Sequence, residues 1–166
     1  MPTIAMIGQK GLPARSGGVE RHVQHLASSL VERGHRVIVF GRAWYVGQSK
    51  APKGVEQVIT AGIKSKHLDA ITHSVTAIFA ARKLRPDIVH VHGVGIAVLL
   101  PLIRLVVPKA KIVVTFHCID RVREKWGAIA RAVLTMGEWM ACHLADRTVT
   151  VSQELARYCA KTYGVQ

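Results

Sequence analysis

Three short stretches carry side chains suited to chemistry, and each follows an apolar run. The first begins Gly8-Gln9-Lys10-Gly11 and ends Ser16-Gly17-Gly18-Val19-Glu20, leading into a helical pattern. Gly17 and Gly18 either shape a tight turn or let backbone approach a ligand, and the amino terminus of a following helix favours negative charge. The spacing is not the G-x-G-x-x-G of dinucleotide sites, nor a P-loop, because no Gly-Lys-Ser/Thr follows. The second stretch is His90-Val91-His92-Gly93. Strand alternation puts His90 and His92 on one face, where they share an environment. A metal would need further ligands, and no carboxylate or cysteine stands convincingly beside them; the pair reads as hydrogen-bonded structural histidines and no metal is expected. The third is Thr115-Phe116-His117-Cys118-Ile119-Asp120. His117 just past a strand end, with Asp120 three residues on, can position a hydroxyl or orient a proton transfer. Cys118 beside it reads as a small packing residue rather than a thiolate nucleophile.

The elements that must position these stretches are legible from periodicity. Thr3 to Ile7 is an apolar run that suits a strand buried on both faces. Val19, Val23, Leu26, Ala27, Leu30 and Val31 recur at helical spacing, and Gly34 is placed to end that helix. Further strands are predicted at 36–40, 55–59 (weaker), 87–92, 111–116 and 147–151, with a loop over 41–54. Helices are predicted at 68–84, stopped by Arg85-Pro86, at 95–107 and at 122–144; a closing helix is capped by Ser152. Strands and helices alternate with short connections, which argues for a doubly wound α/β fold: a parallel sheet covered on both faces. No internal repeat or linker interrupts it, so residues 1–166 are read as one Rossmann-like domain. In such a sheet ligands bind beyond the carboxyl ends of the strands, which is where the three stretches fall.

The balance of 23 Lys+Arg against 10 Asp+Glu gives a formal charge of +13 and favours anionic partners: phosphates, acidic lipid, nucleic acid or a sugar nucleotide. Three scattered cysteines, with no C-x-x-C pair, argue against a zinc site or a disulfide framework and suit reduced thiols in a cytoplasmic protein. The start lacks the pattern of a signal peptide, and the apolar stretch 94–107 is interrupted by Pro101 and Arg104, too short to span a bilayer. The predicted helix over 122–144 has a basic start and an apolar body; this suits either a membrane surface or an ordinary core-facing helix.

Taken together, Ile7 to Glu20, Asp87-Ile88-Val89-His90-Val91-His92-Gly93, Thr115 to Asp120 and Ala145-Asp146-Arg147-Thr148-Val149-Thr150-Val151-Ser152 resemble the amino-terminal domain of GT4-type retaining glycosyltransferases, especially bacterial rhamnosyl-type enzymes of polysaccharide assembly. The resemblance covers essentially the whole chain. It implies the GT-B architecture, two Rossmann-like domains facing across a cleft, with this one mostly holding the acceptor. It implies no cofactor, the nucleotide sugar being a substrate. By the same resemblance, backbone at Gly17 and Gly18 approaches the donor diphosphate or the transferred sugar, and His117 contacts the donor sugar. Glu20 and Asp120 are carried over beside these motifs, and His92 and Gly93 join the binding residues. Cys118 stands where the family often has glycine. The family's carboxy-terminal donor-binding domain, with its E-x7-E glutamates, has no counterpart in the 166 residues, so transfer is expected of a longer protein and not of this chain alone.

The expected partners are a nucleotide sugar, a glycan or lipid-linked acceptor, and an anionic membrane surface, with a cytoplasmic location at the inner membrane face. Two other readings fit the same charge and fold. One is a basic binding module without enzymatic activity, although aromatics are only 5% and no nucleic-acid motif is present. The other is half of a sugar-nucleotide epimerase with the same two-domain architecture. A nicotinamide oxidoreductase ranks last because the dinucleotide fingerprint is missing.

Overall fold

The computed structural model describes residues 1–65, 68–124 and 126–165. They form a six-stranded, wholly parallel sheet in the order β3-β2-β1-β4-β5-β6. The strands are β1 (Thr3–Ile7), β2 (Arg36–Arg42), β3 (Val55–Thr60), β4 (Ile88–His92), β5 (Lys111–Phe116) and β6 (Arg147–Thr150). The chain moves outward from β1 to β3, then returns to β4 on the other side of β1. The carboxyl ends of β1 and β4 therefore flank the point where the strand order reverses, where a crevice opens in this class of sheet.

Alternation along the central strands sends apolar side chains to both faces. Ala5, Ile7, Ile38, Phe40, Val89, Val91, Ile112 and Val114 join one core, under α3 (Asp69–Leu84), α4 (Val94–Ala97) and α5 (Leu100–Val106). Ile4, Met6, Val37 and Val39 join the other, under Val23 and Ala27 of α1 (Gly18–Glu32). Each fully buried side chain of this size contributes about 1.5–3 kcal/mol relative to exposure, so the two-sided burial is what holds the sheet between its helices. The remaining helices are α2 (Ala43–Val46), α6 (Ala128–His143) and α7 (Gln153–Tyr163). None of the described helices is long and apolar enough to cross a membrane.

The doubly wound α/β class is as the sequence pattern predicts, and besides shifts of one residue at other element ends the boundaries differ as follows. The second strand runs on to Arg42, and the segment after it is not all loop: α2 forms there because Tyr45 and Val46 are buried. The predicted 95–107 helix is two helices meeting at Leu99, with Pro101 in the first turn of α5, where its missing N–H is not needed. The predicted 122–144 helix does not start at Val122. Asp120–Val122 is a separate 3-10 turn, Arg123 is extended, and α6 begins only after Gly127. The last strand ends at Thr150. The three predicted helix-end signals hold: Gly34 follows α1 with positive φ, α3 ends at Leu84 before Arg85-Pro86, and the Ser152 hydroxyl accepts from the Leu155 N–H at 3.2 Å.

Candidate functional site

Three loops leave the carboxyl ends of β1, β4 and β5 and enclose a cleft of about 1220 Å³. The candidate site residues line it, and His90 lies behind them, stacked on His92. Gly17, Gly18 and Glu20 come from the first loop and the start of α1, His92 and Gly93 from the end of β4, and His117 and Asp120 from the segment after β5. The β1 loop passes so close to β4 that a Cβ added at Gly8 would overlap the His92 carbonyl.

The glycine-rich loop is preformed by side chains that reach it from elsewhere. Gln57 Oε1 accepts from Leu12 N–H at 2.7 Å, Gln24 Oε1 from Ala14 N–H at 2.8 Å, and the Tyr45 hydroxyl from Arg15 N–H at 2.7 Å. Gly17 precedes α1 with φ 96°, a conformation that favours glycine, and a side chain there would collide with the Glu20 carboxylate. Gly18 is different. A Cβ added there meets no atom within 4 Å, so packing within the protein does not require glycine; what a side chain would fill is the cleft. Glu20 is only 4% exposed, and its Oε1 accepts from the Lys10 N–H at 3.3 Å. It thus ties the loop to the helix and already offers a negative charge to the positive end of α1, a favourable placement.

The histidines form one cluster. His90 stacks on His92 with ring centroids 4.2 Å apart, and His90 Nε2 lies 2.7 Å from the Thr115 hydroxyl. His92 Nδ1 is 3.3 Å from His117 Nε2. His22, from the second turn of α1, packs edge-on against His117 at 5.0 Å and His92 at 6.0 Å. Burial, then repulsion from neighbouring imidazoles, lowers the pKa of His90 to about 4 and holds His92 well below the ordinary value. His117 is lowered to about 4 by burial and by His22, with Asp120 opposing. Burial also lowers His22. At neutral pH the cluster is uncharged, so His117 offers a neutral imidazole, able to donate one hydrogen bond and accept another.

Asp120 sits on the 3-10 turn, 3.3 Å from Arg123 Nε. The Arg123 guanidinium also donates to Cys118 Sγ at 3.4 Å. Burial first, and Asp120 next, push the Cys118 thiol above its usual range, which removes it as a thiolate nucleophile although it lines the cleft.

Sequence reasoning missed several lining groups. Lys10 and Arg123 add positive charge, as does Arg42 at the end of β2, which is held by Asp69 at 2.7 Å. An apolar part of the lining comes from Ile129, Ala130, Val133 and Leu134 in the first turns of α6. That part stands where it does because Gly137 lets α6 lie directly on α4; a Cβ there would overlap the Val94 carbonyl. His22 had one signal in the sequence: it follows Val19 by three residues, on the edge of the stripe that α1 buries.

The resulting site has a glycine loop open to a ligand, a neutral imidazole beside a carboxylate, three cations each facing a carboxylate, and an apolar stretch from α6. It can receive a molecule that is anionic in one part and apolar in another. A comparison with curated proteins gives no match. The family model described as Glycosyltransferase Family 4 matches residues 16–166, a span that includes every loop of the cleft except the start of the first. The chain therefore belongs to glycosyltransferase family 4.

Proposed function

We propose that the chain forms the acceptor-side wall of a GT-B active site that transfers a sugar, with retention, from a nucleotide sugar to a glycan or lipid-linked acceptor in cell-surface polysaccharide or glycolipid assembly. The observation that carries this reading is Gly18. It opens on the cleft with nothing of the protein above it, at the head of α1 and in the same cleft as His117 and Asp120. Backbone can approach a diphosphate or a sugar there, while His117, neutral and at a strand end, accepts from or donates to a sugar hydroxyl. The roles divide accordingly. Gly17, Gly18 and Gly93 give access, Glu20 holds the loop, His92 orients His117, and Asp120 with His117 faces the reacting sugar. A second, donor-binding domain completes the cleft from the other side, as in rhamnosyl-type enzymes of the family.

A lipid-linked acceptor, with the protein resting on the inner face of the membrane, is supported by α6. Ile129 is 84% exposed, and Val133, Met136 and Trp139 extend the exposed apolar stripe along the helix. Arg131 is exposed on the same helix, and an amphipathic helix of this kind binds an anionic surface through both terms.

The test is transfer itself. The native gene product and the 166-residue chain are each incubated with a panel of nucleotide sugars and a lipid-linked oligosaccharide, and the acceptor is weighed by mass spectrometry. Transfer by the native product, lost in Gly18→Val and absent for the chain alone, is expected. A native product that moves no sugar but binds DNA in a salt-dependent manner would leave the basic binding module as the better reading, and one that interconverts sugar nucleotides would leave the epimerase.

A further inference from the structure

A second, smaller cavity of about 430 Å³ adjoins the cleft, and sugar transfer as described gives it no role. Lys10 and Arg42 line both cavities, so the two open side by side. The other charged and aromatic walls come from three more places: Trp44 from α2, Lys64 from the segment after β3, and Asp69 from the start of α3. The cavity therefore gathers residues from the carboxyl ends of β1, β2 and β3, whereas His117 follows β5. Its volume falls in the range of about 300–1,000 Å³ that small-molecule sites occupy.

One carboxylate builds the walls. Asp69 Oδ2 accepts from the Arg42 guanidinium at 2.7 Å, and Asp69 Oδ1 accepts from the Trp44 indole N–H at 3.3 Å. The Arg42 and Asp69 side chains are nearly buried and offset each other's charge. The indole is pinned by its edge, yet Trp44 stays 45% exposed, so the fold holds a large aromatic surface in place without covering it. Lys64 is exposed and makes no ion pair with any of the described residues. The Lys10 ammonium meets Glu20 only at 4.0 Å. What remains unspent is two ammonium groups beside an anchored indole. The negative face of an indole attracts the polarised C–H groups of a pyranose, and its apolar body keeps water off that side. An ammonium is a compact point charge with three donors and suits a carboxylate or a phosphate alike. A bare anion has no use for the indole, and a neutral sugar has none for the lysines.

We propose that this cavity is a subsite for an acidic sugar of the acceptor, whose ring packs on Trp44 and whose carboxylate or phosphate is met by Lys10 and Lys64. The inference rests on the acceptor-side reading for the presence of a glycan, and goes beyond it by naming the charge that the glycan carries.

The isotope-labelled 166-residue chain is titrated with methyl glucuronide, a hexose phosphate, inorganic phosphate and methyl glucoside. The Trp44 indole N–H resonance, assigned by its loss in Trp44→Phe, reports binding. At least one acidic sugar should shift it saturably, with methyl glucoside and inorganic phosphate each at least about tenfold weaker, and the tighter of the two acidic sugars identifies the anionic group. Lys64→Gln, at an exposed position, should weaken that sugar by about tenfold or more. Lys53→Gln, in the turn before β3 at the other end of the strand, should leave its affinity unchanged. Equal affinity for the neutral and acidic sugars, inorganic phosphate bound as tightly as either, or full affinity in Lys64→Gln would overturn the proposal. Saturable binding of an acidic sugar supports the subsite even where the native product transfers nothing, and blank titrations overturn it even where the native product transfers sugar.

Discussion

Removing one carboxylate, that of Glu138, should loosen three elements at once. Glu138 lies on the inner face of α6 and is 0% exposed. Its Oε2 accepts from the Tyr158 hydroxyl at 2.7 Å, the Tyr163 hydroxyl at 2.6 Å and Arg121 Nε at 3.2 Å. The Tyr158 hydroxyl accepts in turn from the Arg121 guanidinium at 2.8 Å. One oxygen therefore joins α6 to the 3-10 turn that carries Asp120 and to the middle and carboxyl end of α7. Burial first, and Glu138 next, hold both tyrosine hydroxyls above their ordinary range, as expected where an anion receives their protons in hydrogen bonds. Hydrogen bonds to a charged group contribute about 1.5–3 kcal/mol each, and breaking a buried ion pair costs about 3–5 kcal/mol. Arg121 and the two tyrosines are part-exposed and can turn to water once freed, so the lower end applies: about 3 kcal/mol for Glu138→Ala. At about 2–4 °C per kcal/mol for a chain of this size, the melting temperature falls by about 6–12 °C. Tyr163→Phe removes a single hydroxyl and should cost about 1.5 kcal/mol. Urea denaturation followed by circular dichroism measures both. Glu138→Ala within 1 kcal/mol of the parent would refute the idea that this carboxylate organises the region.

Other substitutions separate ligand access from folding. Gly18→Ala should leave stability within about 0.5 kcal/mol, since its Cβ enters open space, while sugar transfer by the native product drops at least tenfold. Gly137→Ala should destabilise by about 1–3 kcal/mol in thermal unfolding, because a methyl group against the Val94 carbonyl outweighs the gain in helix propensity. Asp146 accepts from the Ile112 N–H and from Arg104, both at 2.7 Å, and from Lys111 at 3.3 Å; these bonds, the backbone one first, lower its pKa to about 2. Its folded pKa lies below the unfolded value, so its stabilisation is present above about pH 4 and is lost as pH falls toward 2; Asp146→Asn should flatten that acid limb in pH-dependent urea titrations. Ile129→Glu should leave the fold unchanged yet reduce co-sedimentation with anionic vesicles several-fold, through lost apolar contact and added repulsion.

The sheet was legible because its central strands are buried on both faces and therefore read as short, unbroken apolar runs between glycine-rich turns. The three cleft loops followed from that, since a parallel sheet leaves little choice about where its strand ends converge. Periodicity failed where local geometry and helical spacing disagreed. Residues 122–127 continue the apolar pattern of α6, yet the chain turns at Arg123 and Gly127 to bring Asp120 to the cleft. Arg42 and Glu138 were invisible for another reason, and His22 showed only its place on the edge of the α1 stripe. Each owes its role to partners more than fifteen residues away, and polar residues on a helix edge or a strand end carry no mark of what the fold will set beside them. Reading His90 and His92 as one environment was sound, because strand alternation alone decides it, but the alternation says nothing of a third ring arriving from α1.

The neutrality of the cluster constrains any chemistry at this cleft. An imidazole whose pKa is about 4 is a weak base and is not a cation at neutral pH, so His117 cannot supply a proton as imidazolium there. Asp120 pairs with Arg123 and only partly opposes the lowering of His117. The glycine loop, meanwhile, is held from three sides before any ligand arrives, and α6 is fixed against α4 by a contact that tolerates no side chain. A site whose walls are set in advance and whose His117 is neutral suits acceleration by holding the reacting groups in place and by placing dipoles in advance. On the sugar-transfer proposal, the charge that catalysis needs is then expected from what binds in the cleft, the phosphates of a donor above all.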